Sequence, residues 1–379
     1  MHRSLVLIIS LACCTACVPQ ADYDYDQSEE ASLLYRILGN NTQASIDILA
    51  LSPDIEELLD SRIESDWSTR QKLKALRELL YGKDELNIQY DAMNTLTALG
   101  TFDARSGNCL SMTSLFIAAA RYVDLDAHFQ TVAVDSTWDR EGNTMIRYEH
   151  IIATGYYAGG KKYVMDFLPE FVLGDKKTNL ISDETALTLH LNNLGAEAIL
   201  EGRINDAVTN LSHAIELRPQ YSDAWNNMGA AMRRTGQYDL AEFSYQRAVY
   251  QDAYNYSALS NLAYLYAYQG RGSKAAKYKK RVDKYRSGNP YYLLYQAELS
   301  FQEGRHEEAR QYLKRAIRLK RDEPDFYLAL SDFHEKMGEK EESVKMFEMA
   351  EKYRLGILQA PERRMHHRFW TMSVSITPL

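Results

Sequence analysis

The chain has 379 residues, of which 45% are hydrophobic, and this is enough to form the cores of two domains of ordinary size. Its 52 acidic and 44 basic residues give a formal net charge of -8, and no run of five or more like charges occurs. The composition therefore excludes a chain that is disordered throughout, and the charge pattern argues against nucleic acid as a partner.

The first seventeen residues have the order of a secretory signal peptide. His2 and Arg3 form a basic start, an apolar stretch runs from Leu5 to Ala12, and small residues lead to Cys17. The apolar stretch is shorter than the roughly 20 residues that a transmembrane helix needs. We therefore expect residues 1–17 to direct export and not to span a membrane permanently.

The residues after the apolar stretch resemble a bacterial lipobox, in which the cysteine is lipidated and becomes the mature N-terminus. Thr15 and Ala16 precede Cys17, and Val18 stands where an aspartate would indicate retention in the inner membrane. The resemblance implies a cell-envelope lipoprotein anchored at Cys17 in the outer membrane and facing the periplasm. Cys14 stands where leucine is preferred, so lipidation at Cys14, a plain cleaved signal and a poorly cleaved anchor stay open as alternatives.

Cysteine usage singles out one thiol. The four cysteines lie at positions 13, 14, 17 and 109, so processing at Cys17 leaves Cys109 with no cysteine to pair with. An unpaired cysteine in an oxidising compartment is a liability unless it is buried or used. Cys109 is therefore a candidate reactive residue.

Residues 18–30 are polar and acidic without periodicity, which indicates a flexible tether ahead of a folded domain. After the tether, apolar residues at helical spacing predict four helices, at 31–38, 53–62, 68–81 and 107–123. Three extended runs follow, at 128–134, 147–154 and 161–168. Helices followed by strands predict an α+β domain over residues 31–180.

Two side chains on these runs suit catalysis with Cys109. A thiol in the first turn of a helix lies near the positive end of the helix dipole, which favours the thiolate and lowers its pKa. Such a nucleophile needs a base and a group that orients the base, and His150 and Asp166 lie in the middle of adjacent runs. His128, on the first run, is the rival base, and we interpret it as a structural or surface residue.

The order of helix cysteine, strand histidine and strand aspartate resembles the transglutaminase-like superfamily, which has a papain-type triad. The resemblance is carried by Cys109 in RSGNCLSMTSLF, His150 in YEHIIAT and Asp166 in YVMDF. It implies that Cys109 attacks a carbonyl, that His150 serves as base and then as acid, and that Asp166 orients His150. No cofactor is implied, and the histidines and carboxylates lack the compact spacing of metal ligands.

Residues 188–355 repeat with a period of 34 residues. One glycine recurs in each period, at Gly202, Gly236, Gly270, Gly304 and Gly338. The period resembles the tetratricopeptide repeat, which implies an all-α solenoid of five units, each with a helix A, a turn and a helix B. The glycine recurs because the turn needs a left-handed residue. Residues 356–379 form a C-terminal tail without this pattern.

Helix A of each repeat is expected to line a concave groove that binds a partner. The repeat phase assigns six residues to this groove: Asn192, Asn226, Arg233, Arg234, Tyr264 and Tyr268. Asparagine and arginine suit a peptide backbone or a carboxylate, and tyrosine suits stacking on an extended chain. The alternative, that these are ordinary exposed helix residues, stays open.

Together these features predict a membrane-anchored cysteine hydrolase that acts on an amide bond of a peptide or protein, with the repeats recruiting the substrate or a protein partner. Two alternatives stay open: an acyl transferase that cross-links proteins, and a non-catalytic scaffold for protein assembly. The membrane is expected to be contacted through the lipid anchor only. The ordered triad favours catalysis, and the long repeat array favours the scaffold.

Overall fold

The computed structural model describes Tyr23 and residues 25–39, 46–141, 144–157, 159–167, 178–359 and 377–378. Within these ranges the side chains of residues 133–149, 355–359 and 377–378 are left undescribed. The lipobox with Cys17 lies outside the described residues. No helix in the described part of the chain is long and apolar enough to cross a membrane.

The N-terminal part begins with helices. They are α1 (Gln27–Leu38), α2 (Pro53–Arg62), α3 (Thr69–Tyr81), α4 (Ala98–Ala104) and α5 (Cys109–Tyr122). The predicted helices are confirmed, and α3 starts at a capping box in which Ser68 and Gln71 bond each other's backbone N–H groups. Helix α4 was not predicted, because seven residues are too few to show a helical period.

The strands form two sheets, one of two strands and one of five. Their strands are β1 (Gln89–Tyr90), β2 (Ser106–Gly107), β3 (His128–Glu141), β4 (Thr144–Tyr156), β5 (Lys162–Met165), β6 (Thr178–Ile181) and β7 (Thr377–Pro378). β1 and β2 pair in parallel, and the larger sheet is antiparallel in the order β5-β4-β3-β6, with β7 on β4. The three predicted strands are confirmed, although β3 and β4 extend into a longer hairpin than predicted, and β6 was not predicted.

Helix α5 is the centre of the N-terminal core. Its residues from Cys109 to Ala120 are all buried, and they share one core with Phe129, Ile151 and Ala153 of the sheet. Helices α2 and α3 also contact α5. The start of α5 is therefore held inside the protein, where water has little access.

The C-terminal part is a stack of paired helices, as predicted. The pairs are α6 (Asp183–Leu200) with α7 (Ile204–Leu217), α8 (Ser222–Arg234) with α9 (Tyr238–Gln251), α10 (Tyr256–Tyr268) with α11 (Gly272–Gly288), α12 (Pro290–Gln302) with α13 (His306–Leu319), and α14 (Pro324–Lys336) with α15 (Lys340–Gln359). The five turn glycines have φ between 73° and 78°, in the left-handed region where a side chain is strained.

Small residues allow the two helices of a repeat to cross closely. A Cβ atom added to Gly195 would lie 2.5 Å from the Leu211 side chain, and one added to Gly229 would lie 2.5 Å from the Tyr245 ring. Both distances are too short for a real contact. The period of 34 thus has a packing cause at these positions.

Helix α1 corrects two of the predicted boundaries. Leu33 and Ile37 belong to the same core as the repeat helices, and the Ser212 hydroxyl of α7 donates to the Ile37 carbonyl at 3.2 Å. The preceding residues also pack on the repeats, since the Tyr25 ring lies 5.1 Å from the Phe243 ring. The described residues of the segment 18–30 are therefore not a flexible tether, and α1 adds to the solenoid instead of opening the α+β domain at residue 31.

Candidate functional site

Cys109 is the first residue of α5. Asn108 caps the helix, because its side-chain oxygen accepts from the Ser111 N–H at 3.0 Å. The cap follows β2 directly, and a Cβ on Gly107 would lie 2.7 Å from the Ser111 Cβ. Only glycine therefore fits at the close approach that turns the chain from β2 into α5.

The thiol of Cys109 is buried, and burial raises its pKa well above the ordinary value. The negative charge of Asp166 raises the pKa further, whereas a hydrogen bond from the Tyr90 hydroxyl to the sulfur lowers it. The net direction is therefore opposite to the lowering predicted from the helix dipole, because desolvation of the thiolate is the largest contribution. The thiol is neutral near pH 7.

Tyr90 was missed in the sequence. It lies in β1 opposite Gly107 of β2, and this parallel pairing brings its side chain beside the first residue of α5. Tyr90 stands 19 positions before Cys109 in a two-residue strand, so no periodic pattern or motif could have pointed to it.

The structure brings His150 and Asp166 together. The Nε2 atom of His150 lies 2.8 Å from Oδ2 of Asp166, and the His150 side chain is fully buried. Antiparallel pairing of β4 and β5 sets Met165 opposite Ala153, which positions the next residue, Asp166, near His150. Phe167 packs against the Phe116 ring of α5 at 5.6 Å and so ties this end of β5 to the cysteine helix.

The rival base, His128, lies elsewhere. Its Nε2 atom is 2.7 Å from Oδ1 of Asp126, and its side chain is 49% exposed. In the pairing of β3 with β4, His128 faces Thr154, whereas Val132 faces His150, which separates the two histidines by about 13 Å along the strand. The interpretation of His128 as a surface residue agrees with this position.

A buried chain of hydrogen bonds connects the cap of α5 to the repeats. The Asn108 amide donates to the Thr95 hydroxyl at 2.6 Å, and that hydroxyl donates to Oε1 of Glu197 on α6 at 2.6 Å. Burial raises the pKa of Glu197 to about 7. The orientation of the Asn108 side chain, and with it the start of α5, is thus set partly by the first helix of the solenoid.

The predicted groove residues separate into two groups. Asn192 and Asn226 are fully buried, and they accept hydrogen bonds at 2.9 Å from Asn227 and Asn261 respectively. These amides join successive repeats to one another and do not face a partner. Their assignment to a binding surface is therefore corrected, because the phase that repeats along helix A also marks the contact between neighbouring helices.

The other four predicted residues lie nearer the surface. The Arg234 guanidinium donates to the Ile199 carbonyl, so it holds two repeats together. The Arg233 guanidinium lies 5.4 Å from the centre of the Tyr264 ring, and that ring stacks on Tyr268 with 6.5 Å between centres. The Tyr268 side chain is 63% exposed. We refer to Arg233, Tyr264, Tyr268 and Tyr238, whose hydroxyl donates to that of Tyr268 at 3.3 Å, as the tyrosine cluster.

Three family models described as the tetratricopeptide repeat match the chain, over residues 211–243, 260–324 and 300–354. These matches and the helix pairs decide the nature of the second half. The C-terminal half is a tetratricopeptide-repeat array. Among the described residues, no group of three or more histidine, cysteine, aspartate and glutamate side chains could hold a metal ion.

Several solved structures are similar to part of this chain. A structure of Pseudomonas aeruginosa PilF is 20% identical, with 45% of this chain and 78% of that chain covered and a TM-score of 0.28. A structure of MamA from MSR-1 is 20% identical and covers 44% of this chain and 95% of that one, with a TM-score of 0.24. Another MamA structure is 16% identical, with 47% and 97% covered and a TM-score of 0.27. No curated protein matches the chain significantly.

Proposed function

We propose that this protein is a scaffold that binds a protein partner through the tyrosine cluster of its repeats. The repeat array indicates protein–protein interaction, and it extends over most of the second half of the chain. The observation that carries the site is the exposure of Tyr268 beside Tyr264 and Arg233, because tyrosine and arginine are the residues that dominate binding energy in protein interfaces.

Site-specific photo-crosslinking tests the scaffold proposal. A photoreactive phenylalanine analogue at position 268 should capture a discrete protein in cells, and the same analogue at the exposed position Tyr35 on α1 should not capture it. Arg233→Ala in the same chain should weaken the adduct at position 268. Equal capture from positions 268 and 35, or capture that ignores Arg233, would reject the tyrosine cluster as the binding surface.

A second function is favoured by the bond between His150 and Asp166. We propose that residues 46–181 are transglutaminase-like and that Cys109 forms an acyl-enzyme with an amide of a peptide or protein. Because Asp166 engages Nε2 of His150, proton exchange with the thiol would use Nδ1. The resting thiol is neutral, so His150 would take its proton as the sulfur attacks, and would return it to the leaving amine. Water would then release the acyl group.

An electrophilic peptide probe tests this chemistry. A peptide vinyl sulfone should label the wild-type chain at Cys109, should fail on Cys109→Ala and should label His150→Ala more slowly. A labelled primary amine that becomes attached to a protein substrate would favour the cross-linking alternative over hydrolysis. If Cys109 resists the probe in the folded wild-type chain, the enzyme proposal fails and the scaffold proposal stands unaffected.

We also propose that Cys17 carries a lipid anchor that holds the protein to the outer membrane, facing the periplasm. The lipobox resemblance supports this placement, and the packing of Tyr23 and Tyr25 on the repeats leaves only a short segment between Cys17 and the folded protein. Globomycin, which blocks the lipoprotein signal peptidase, should cause an unprocessed form to accumulate. Processing that is insensitive to globomycin would reject lipidation.

A further inference from the structure

Helix α11 differs in charge from the rest of the chain. In its 17 residues it carries seven basic side chains and one acidic side chain, whereas the whole protein has a net charge of -8. The acidic residue, Asp283, pairs with Lys279 at 2.5 Å. Basic side chains therefore outnumber acidic ones by six in this helix.

The basic residues continue in register onto the next repeat. Lys280 and Lys284 of α11 stand one period of 34 residues before Lys314 and Arg318 of α13, and all four side chains are exposed. Equivalent positions of successive repeats lie side by side on a solenoid, so these four residues form one patch on the helix B side. We call Lys280, Lys284, Lys314 and Arg318 the basic row.

The basic row is aligned with the place where the N-terminal segment joins the folded protein. Tyr250 of α9 stands one period before Lys284, and the Tyr23 ring packs on the Tyr250 ring with 5.0 Å between centres. The Arg247 guanidinium donates to the Tyr23 hydroxyl at 3.1 Å and pairs with Glu30 at 2.7 Å, which holds this segment on α9. Cys17 precedes Tyr23 by six residues, which span at most about 20 Å when fully extended. An anchor at Cys17 would thus keep the basic row close to the bilayer.

We propose that the basic row binds the anionic phospholipid headgroups of the membrane that carries the anchor. Each lysine or arginine near an anionic surface adds to membrane attraction, whereas the acidic remainder of the protein is repelled from that surface. The row would therefore orient the protein with this side toward the membrane. Exposed Tyr250, one period before Lys284, and exposed Leu319, next to Arg318, supply the aromatic and apolar side chains that bilayer interfaces favour. This orientation rests on the proposed lipid anchor, although headgroup binding by the row can be measured without it.

The helix A side, with Arg233, Tyr264 and Tyr268 of the tyrosine cluster, would then point away from the membrane and stay open to a protein partner. A lysine-rich helix can also be a simple solvated surface. Two observations distinguish the basic row from a solvated surface: its residues are in register between two repeats, and the row is aligned with the N-terminal segment. Both favour a bilayer over a free acidic protein or a nucleic acid as the partner.

Vesicle partition tests the proposal. The full chain should bind vesicles of equimolar phosphatidylcholine and phosphatidylglycerol better than vesicles of phosphatidylcholine alone, and high salt should remove the difference. Replacing the row by glutamate (K280E, K284E, K314E and R318E) should lower partition into the mixed vesicles about tenfold or more. The signal peptide, residues 1–17, is the same in every variant, so its own affinity for lipid cancels in the comparison.

A matched variant controls for net charge. Four other exposed basic residues lie on or just after α3: Arg70, Lys74, Arg77 and Lys83. Replacing these four by glutamate (R70E, K74E, R77E and K83E) should leave vesicle partition near the wild-type value. Circular dichroism verifies that both variants fold, and a glutamine series at the basic row gives the same direction with a smaller change of charge. The proposal would be overturned if the two variants lost partition equally, or if the wild type showed no preference for anionic vesicles. It would also be overturned if the row bound an acidic protein or RNA in place of vesicles. Processing with globomycin reports on the anchor separately.

Discussion

The Thr95 hydroxyl donates to the Glu197 carboxyl 2.6 Å away, and this bond crosses from the N-terminal part to the first helix of the repeats. Thr95 also accepts from Asn108, the cap of the cysteine helix. A buried carboxyl on the solenoid is therefore two hydrogen bonds away from the cap beside Cys109. The bidentate pair of Arg121 with Asp183, at 2.6 and 2.9 Å, fastens the other end of α5 to the start of α6.

The raised pKa of Glu197 predicts a pH-dependent stability. Its pKa is about 7 in the folded protein against an ordinary value of 4.5, so between these pH values the unfolded chain releases a proton that the folded protein keeps. This carboxyl should therefore contribute about 3 kcal/mol of stability that is lost as pH rises through this window, with little change above it. The buried His190, whose pKa is lowered to about 4, contributes in the opposite direction, so the prediction concerns the difference between two proteins. The stability of the wild type relative to Glu197→Gln should fall by most of this amount between pH 5 and pH 8, as measured by urea unfolding. Glu216→Gln, at an exposed site of α7, should follow the wild type, and parallel profiles for all three proteins would refute the assignment.

The reactivity of Cys109 should respond to its two electrostatic neighbours in opposite directions. Asp166→Asn removes a negative charge and should lower the pKa of the thiol, so alkylation by iodoacetamide at pH 8 should become faster. Tyr90→Phe removes a hydrogen bond to the sulfur and should raise the pKa, which slows alkylation. Rates are measured in a chain with serine at positions 13, 14 and 17. Asp126→Asn, at the His128 pair, should have no effect, and identical pH profiles for all variants would contradict the geometry.

The close helix crossing at Gly195 predicts a packing penalty. Gly195→Ala would force a Cβ atom to within 2.5 Å of the Leu211 side chain, and we expect a loss of about 1–3 kcal/mol in urea unfolding. Gly272→Ala is the control, because the first residue of α11 has open space around it and no left-handed backbone. That change should be neutral or stabilising by up to about 1 kcal/mol. Equal effects at the two glycines would show that the packing at Gly195 is looser than described.

Arg247 should keep the N-terminal segment docked. Its guanidinium pairs with Glu30 at 2.7 Å and lies 5.5 Å from the centre of the Tyr23 ring and 5.2 Å from that of Trp225. Arg247→Ala should cost about 1–3 kcal/mol, since it removes a charged hydrogen bond in a partly buried site. Chymotrypsin should then cut faster after Tyr23 and Tyr25, whereas Arg77→Ala, at an exposed position of α3, should leave the rate unchanged. Protection that persists in Arg247→Ala would show that α1 alone holds the segment.

The features that local sequence controls could be predicted. A period of 34 residues with a glycine in each turn reflects contacts within one repeat and with its neighbours, so it can be recognised along the chain without knowledge of the whole fold. The placement of Cys109 on a helix and of His150 and Asp166 on adjacent strands could likewise be predicted. Strands that follow one another in the chain usually pair, so His150 and Asp166 were expected to lie close together. The bond between His150 and Asp166 agrees with that expectation.

Other features depend on contacts between distant segments, and only the tertiary structure decided them. The spacing of Leu33 and Ile37 predicted a helix, but not that this helix packs on the repeats, because periodicity shows which face is apolar and not what covers it. Tyr90 reaches Cys109 through a parallel pairing of two-residue strands that leaves no pattern in the sequence. Burial raises the pKa of Cys109 because the surrounding core excludes water, and a position at the start of a helix does not reveal that burial in the sequence. The sequence by itself determined the repeats and the order of Cys109, His150 and Asp166 on their helix and strands, whereas the fold determined which side chains are buried.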